Sequence, residues 1–301
     1  MRSIWFSTII VAVVIGMTTS AFAVPIYTVD DYRSKWGGYS SKIIVTDSKA
    51  PHNEVVLNTG TGRRMTDIAV TPSSSSLYTI TNDGGTSLYR YDVDDGRLLD
   101  SWNLGIQAAG FKNALVAESD TSLLMMSNDK TNLWRINLDS TGNYVSTTTI
   151  GNIGKYSSGD LAIAPDGTIY FSSVDYRNST TARNRLYTID LAGTKPLVTE
   201  IGIIHQAGSN PRWSWLPQIY GLAFDEDGVL YAGRGVSGVA KDVYKINLHD
   251  ASATFGWTMN FASGINGFAS TYCETTNVPE PATICLLGLG ALSMVGRKKH
   301  A

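Results

Sequence analysis

Four segments of the chain repeat one pattern, at a period too long for a coiled coil and too short for a domain. They read TDIAVTPSSSSLYTI…SLYRYDV, KNALVAESDTSLLMM…NLWRINL, GDLAIAPDGTIYFSS…RLYTIDL and YGLAFDEDGVLYAGR…DVYKINL. Each holds a run of small apolar residues, a turn, a second apolar run ending near Tyr or Leu, and a third run of the form aromatic-x-apolar-Asp/Asn. The third-run aromatics are Tyr89, Trp134, Tyr187 and Tyr244, spaced by 45, 53 and 57 residues. The matching Asp/Asn residues are Asp92, Asn137, Asp190 and Asn247.

The runs read as strands. LYRYDV and LYTIDL alternate with period two and favour β-branched and aromatic types. APDGT, DEDGV and NDGGT are turn chemistry, with Gly supplying positive φ. No stretch between the terminal segments keeps a 3.6-residue apolar period. A unit of about 45 residues with several short strands predicts a β-propeller blade. A β-sandwich is the competing all-β architecture, but it does not explain the repeat. IIVTDSKAPHNEVVLNTG aligns with LYRYDVDDGRLLDSWNLG, so the N-terminal part reads as the outer strands of a blade. GINGFAS near the other end resembles the inner strand IYGLAFD. The two ends would share one blade and close a ring of about five, removing exposed sheet edges.

Three segments follow: residues 1–23, a body over 24–276, and a tail over 277–301. The first has a cation (Arg2), an apolar stretch from Ile4 to Met17, and small residues at Ala21 and Ala23. It reads as a secretory signal peptide cut after Ala23, the alternative being an uncleaved anchor. The chain is therefore expected to be exported. Without Arg2, Arg297, Lys298, Lys299 and Glu280 of the two terminal segments, 20 Lys and Arg remain against 25 Asp and Glu, about −5 rather than the whole-chain −2. A body of that sign is a poor nucleic-acid binder. The two cysteines, Cys273 and Cys285, are not expected to pair, so the fold must stand without disulfides.

Chemistry is sparse. DVDDG (Asp92, Asp94, Asp95, Gly96) and DEDG (Asp225, Glu226, Asp227, Gly228) resemble calcium-loop clusters, yet the EF-hand spacing and its closing Glu are missing. Hairpin turns take Asp and Gly for backbone reasons alone. YDVDDGRLLDSW resembles a quinoprotein repeat, but it occurs once. His52, His205, His249 and His300 have no metal-ligand spacing, and no nucleophile elbow is present. No catalytic residue, metal or cofactor is assigned.

The repeat is interrupted in one place. The gap from second-strand to third-strand marker is 11, 10 and 13 residues in three units but 17 between Tyr170 and Tyr187. From Asp190 to Gly221 there are 31 residues, against 23 from Asn137 to Asp160. In an antiparallel four-stranded blade both insertions emerge on one face. They carry Arg177, Arg183, Arg185, Arg212, Trp213 and Trp215, a basic and aromatic patch suited to a glycan, an acidic one included. The alternative is that the tryptophans fold over the loop's own base and the arginines form a solvated rim.

The tail reads NVPEPATICLLGLGALSMVGRKKHA. Its apolar stretch, Ala282 to Gly296, would reach only about 22 Å as a helix, short of a hydrocarbon core of about 30 Å. Pro279 and Pro281 block helix continuation backwards, and Arg297, Lys298 and Lys299 would stay cytoplasmic. A single short hydrophobic helix spanning the membrane transiently is the expectation. Pro279-Glu280-Pro281, the Gly-rich apolar run and the basic end resemble the PEP-CTERM sorting signal of Gram-negative bacteria. That resemblance implies an exosortase as processing partner, transient inner-membrane insertion, and delivery to the outer surface or matrix of biofilm- and exopolysaccharide-making cells. A plain C-terminal anchor or a helix packed on the body are the alternatives.

The expected role is a non-enzymatic surface or matrix propeller that binds polysaccharide or another envelope partner. The rival is an envelope hydrolase, since GLAFDEDGVLYAG also resembles lactonase-type propellers. These hold a metal in the central channel with acids and Asn. Asp67 and Asp160 start two inner strands, but Asn113 and Gly221 stand at the places read as equivalent, so a full ligand set is not visible.

Overall fold

The computed structural model describes residues 25–33, 39–58, 63–73, 75–81, 85–106, 112–127, 131–157, 159–174, 183–210, 216, 219–235, 241–260 and 264–270. The signal-peptide segment with Ala21 and Ala23, the sorting tail with its expected helix, and Arg177, Arg212, Trp213 and Trp215 lie outside them.

The described chain is all β and forms five separate sheets. It opens with β1 (Pro25–Arg33), β2 (Tyr39–Asp47) and β3 (Val55–Asn58), the outer three strands of a blade whose inner strand comes from the far end. Next come β4 (Met65–Val70), β5 (Leu77–Thr81), β6 (Ser87–Tyr91) and β7 (Leu98–Asn103), the first complete blade. The second is β8 (Lys112–Ser119), β9 (Ser122–Ser127), β10 (Asn132–Leu138) and β11 (Tyr144–Asn152). The third is β12 (Leu161–Ile163), β13 (Ile169–Val174), β14 (Asn184–Asp190) and β15 (Leu197–Ile203). The short β16 (His205–Gln206) then runs parallel along the outer edge of the fourth blade. That blade is β17 (Ile219–Phe224), β18 (Leu230–Arg234), β19 (Asp242–Ile246) and β20 (Ser252–Thr258). Last, β21 (Ile265–Ser270) pairs antiparallel with β1 and completes the fifth blade. The expected five-bladed ring, closed by strands from both ends, is the observed one.

Strand position explains residue type. Inner strands are covered on both faces, so β4 is buried at every residue. Outer strands expose most of one face: β7 runs exposed, half-buried, exposed, exposed, half-buried, exposed. The core is five clusters, each spanning one blade-to-blade interface. One joins Tyr78, Ile80 and Leu88 of the first blade to Leu123, Trp134 and Ile136 of the second. Another closes the ring, with Tyr27, Val29 and Ile43 packed on Ile68, Tyr89 and Tyr91. The four repeat aromatics Tyr89, Trp134, Tyr187 and Tyr244 are all buried in these seams, which is why the sequence keeps a ring at that place in every unit.

The β3–β4, β7–β8, β11–β12, β15–β17 and β20–β21 connections, together with the loops from second to third strand, emerge at one end of the ring. This is called the loop face below. The first-to-second and third-to-fourth turns emerge at the other end, the turn face. The turn-face acids cap backbone amides. Asp92 accepts from Asp94 N (3.0 Å), Asp139 from Thr141 N (2.8 Å), Asp190 from Ala192 N (2.8 Å) and Asp250 from Ser252 N (2.8 Å). In DEDG, Asp225 accepts from Asp227 N and Val229 N and from the Tyr231 hydroxyl. These carboxylates do the backbone work that Asp does in turns.

Candidate functional site

At the centre of the ring lie two fully buried carboxyls, Asp67 and Asp160. Asp67 accepts from its neighbour Ile68 N (2.7 Å) and from Leu115 N of the second blade (2.7 Å). Asp160 accepts from Leu161 N (2.6 Å), from Leu222 N of the fourth blade (2.7 Å) and from Phe268 N of the fifth (3.0 Å). One amide from each of the five inner strands therefore ends on this pair. The donors occupy one equivalent position. Ile68 and Leu115 both stand two strands from the marker aromatics Tyr89 and Trp134, through Thr79 and Met125.

That register corrects the sequence alignment. The residue matching Asp67 in the second blade is Ala114, not Asn113. Asn113 is the extra residue of a β-bulge between Lys112 and Ala114. The same irregularity occurs at Thr66, Tyr220 and Asn266. The five equivalent positions thus read Asp67, Ala114, Asp160, Gly221 and Gly267. The small residues leave room for the two acids: a Cβ on Gly267 would fall 1.8 Å from Asp67 Oδ1.

The two carboxyls also act on each other electrostatically across the centre of the ring. Burial, then the Asp160 charge, hold Asp67 well above the usual carboxylate range. Burial raises Asp160 too, against the pull of its amides. The pair titrates as a unit and keeps a proton that two exposed aspartates would lose. The sign follows. The folded chain binds more protons than the unfolded one above about pH 4, so this pair's contribution to stability falls as pH rises from there through its raised pKa. Asp139, held down to about 2 by Thr141 and Asn143, works in the opposite sense, and only in acid. We expect the urea midpoint to fall from pH 5 to pH 9 and Asp67→Asn to flatten that slope. Asn offers Asp160 a neutral donor, though it gives up one amide acceptor. An unchanged slope in the variant would mean that the pair is not the group titrating.

Over the pair, on the loop face, stand the bulge residues. Asn113 reaches Ser157 O (3.5 Å) and Asn266 reaches Met65 O (3.5 Å). Asn113 Oδ1 is enclosed without a hydrogen-bond partner among the described residues. Tyr220 is shifted upward by burial, with the Arg64 charge pulling it back. Bulges re-aim side chains beside binding sites, and here they edge the mouth of the closed channel.

The described ends of the third unit's two insertions meet on the loop face. The Asn184 side chain donates to Leu216 O (2.9 Å), and Leu216 N donates to Ile204 O (2.9 Å). Leu216 itself is buried in the seam between the third and fourth blades. The residues just before these anchors are Arg183 and Trp215, so the bases of both insertions share one edge of the face. Arg183 Nε has no hydrogen-bond partner among the described residues. Arg185, another of the residues expected in the patch, has a partner within its own blade. It is ion-paired with Glu200 on the neighbouring strand β15, which also accepts from the Tyr187 hydroxyl (3.2 Å). The pairing crosses a strand register that linear sequence does not display.

Charge is divided between the two ends of the ring. Described cations at the loop end include Arg63, Arg64, Lys155, Arg183, Arg234 and Lys241; Asp30, Asp67 and Asp160 there are buried, and the half-buried Asp242 pairs with Arg234 at 4.0 Å. The turn end carries Asp94, Asp95, Asp120, Asp166, Asp190, Glu226, Asp227 and Asp250, all exposed, against Lys49, Arg90, Arg97, Lys195 and Lys245. Among the described residues no group of three or more His, Cys, Asp or Glu side chains is placed to hold a metal ion, and no helix is long and apolar enough to cross a membrane.

Solved structures share the fold. A chain of the nidogen–laminin complex is 9% identical, with 83% of this chain and 98% of that one covered and a TM-score of 0.55. TolB from Acinetobacter baumannii is 11% identical, with 82% and 67% covered and a TM-score of 0.49. A gluconolactonase from Xanthomonas campestris is 14% identical, with 79% and 77% covered and a TM-score of 0.44. At these identities the likeness is one of fold alone. No curated protein matches the sequence. The PEP-CTERM protein-sorting motif matches residues 277–299, the stretch holding Pro279, Glu280, Pro281 and the basic end. The motif implies export, processing by an exosortase and sorting to the cell surface. The chain is a five-bladed β-propeller that ends in a PEP-CTERM sorting motif.

Proposed function

We propose that the sorted body is a non-enzymatic binding module of the cell surface or extracellular matrix, and that it takes an acidic glycan on its loop face. The observation that carries this reading is the division of charge. A body of net negative charge gathers cations at the end where its two longest insertions meet. Fixed cations on one face attract a polyanion locally, whatever the net charge. Trp213 and Trp215, set in the longer insertion, would supply the aromatic faces on which sugars stack, and Arg177, Arg183 and Arg212 the carboxylate contacts. The tail would hold the chain in the inner membrane transiently before release.

The hydrolase reading asks for a metal in the central channel. Asp67 and Asp160 would then have to turn away from five backbone amides, which favours the binding role. The test is retention on the producer's own extracellular polysaccharide. Trp213→Ala/Trp215→Ala and, separately, Arg183→Ala should each lower retention, the double variant at least tenfold, with the unfolding midpoint unchanged. Unchanged retention would sink the glycan site. One tightly held calcium per purified chain would turn the reading toward the hydrolase.

A further inference from the structure

Both ends of the ring leave from the turn face. β21 finishes at Ser270 beside Ile26, the second residue of β1. Ser270 also lines the small cavity where the channel opens on that face, together with Val70, Ala117, Ile163 and Phe224 from the ends of the other inner strands. The exit point is therefore close to the ring axis. Only six residues, 271–276, separate Ser270 from the sorting motif at 277–299. Fully extended they span about 20–25 Å. A body of this length has a radius of gyration of about 18 Å, so it is roughly 45 Å across. A tether of that length, fixed on the axis, lets the body tilt but not turn over.

We infer that the turn face is the surface apposed to the membrane-embedded sorting enzyme while the motif is cut, and that the loop face points away from the membrane throughout. This rests on the sorting reading given above. The partner is the enzyme rather than the lipid surface. Lipid surfaces recruit basic segments, which the exposed acids of the turn face are not, and such charges act only over about 8–10 Å at physiological salt. Cleavage within the motif leaves β21 whole, so Phe268 keeps its bond to Asp160 and the released ring stays closed. Until the tail is removed, a partner of the loop face must approach from the outer side.

The experiment shortens and lengthens the tether in the full chain, expressed in a host that has the sorting enzyme, and follows tail removal by pulse-chase and mass. Deleting Tyr272–Thr275 should slow removal at least tenfold. Replacing residues 271–276 with six Gly and Ser, or adding twelve, should leave it near the wild-type rate. Removal at the wild-type rate from the shortened, protease-resistant chain overturns the inference. If the shortened chain does not fold, labelling decides. In an uncut motif variant with Cys273→Ser and Cys285→Ser, Thr121→Cys on the turn face should react at least fivefold more slowly with a bulky impermeant maleimide than Lys155→Cys on the loop face. Equal rates overturn it. Equal processing of wild type and Pro279-Glu280-Pro281→Ala would instead overturn the sorting reading.

Discussion

Replacing Asp160 with alanine is expected to cost about 3–6 kcal/mol of folding stability, from three buried amides at about 1–3 kcal/mol each with some relief by relaxation. A domain of this class has about 5–15 kcal/mol to lose. The affected amides belong to Leu161, Leu222 and Phe268, one in each of three blades. The loss is therefore felt across the ring, and most where β21 closes it. At about 2–4 °C per kcal/mol, the melting temperature should drop about 10–20 °C. Asp67→Ala leaves two amides unpaired, those of Ile68 and Leu115, and should cost about two thirds as much. Thermal unfolding of the purified chains checks both. Equal small effects for the two variants would contradict the role of the pair as the clamp of the ring.

The second large effect is on location. Replacing Pro279, Glu280 and Pro281 with alanines should abolish tail removal, leaving the whole chain with the membrane fraction. Physically, the prolines stop the apolar helix from extending backwards, and the triplet marks the motif that matches residues 277–299. The apolar run is too short for a firm span, so unprocessed chain should be held weakly and extracted by mild detergent. Fractionation followed by intact mass measures it. Identical mass and location in variant and wild type would rule out motif-directed sorting.

Much of the fold was legible because a blade is a local object. Period-two alternation, turn residues and a buried ring at Tyr89, Trp134, Tyr187 and Tyr244 recur at short range, and each follows from strands stacked face to face. The shared blade was legible from GINGFAS, now β21. The centre was less so. Asn113 looked equivalent to Asp67 because a bulge adds one residue without a mark in the sequence. The meaning of Asp67 and Asp160 rests on donors from other blades, as far off as Phe268, and on Gly267 giving way to a carboxyl. The ion pair of Arg185 with Glu200 joins residues on adjacent strands, across a bulge that the linear sequence does not display. The turn acids, read as turn chemistry, do serve backbone amides. Their consequence for the molecule, one acidic end and one basic end, emerges only once the strands are assigned a direction.

The most direct test is the binding of the processed body to an acidic polysaccharide and to a neutral one of equal length, titrated at several salt concentrations. Measurable affinity for the acidic polymer is expected, weakening steadily with salt, since screening shortens the reach of the loop-face cations. Little affinity is expected for the neutral one. Equal binding of both polymers, or binding of neither at low salt, would contradict the acidic-glycan reading.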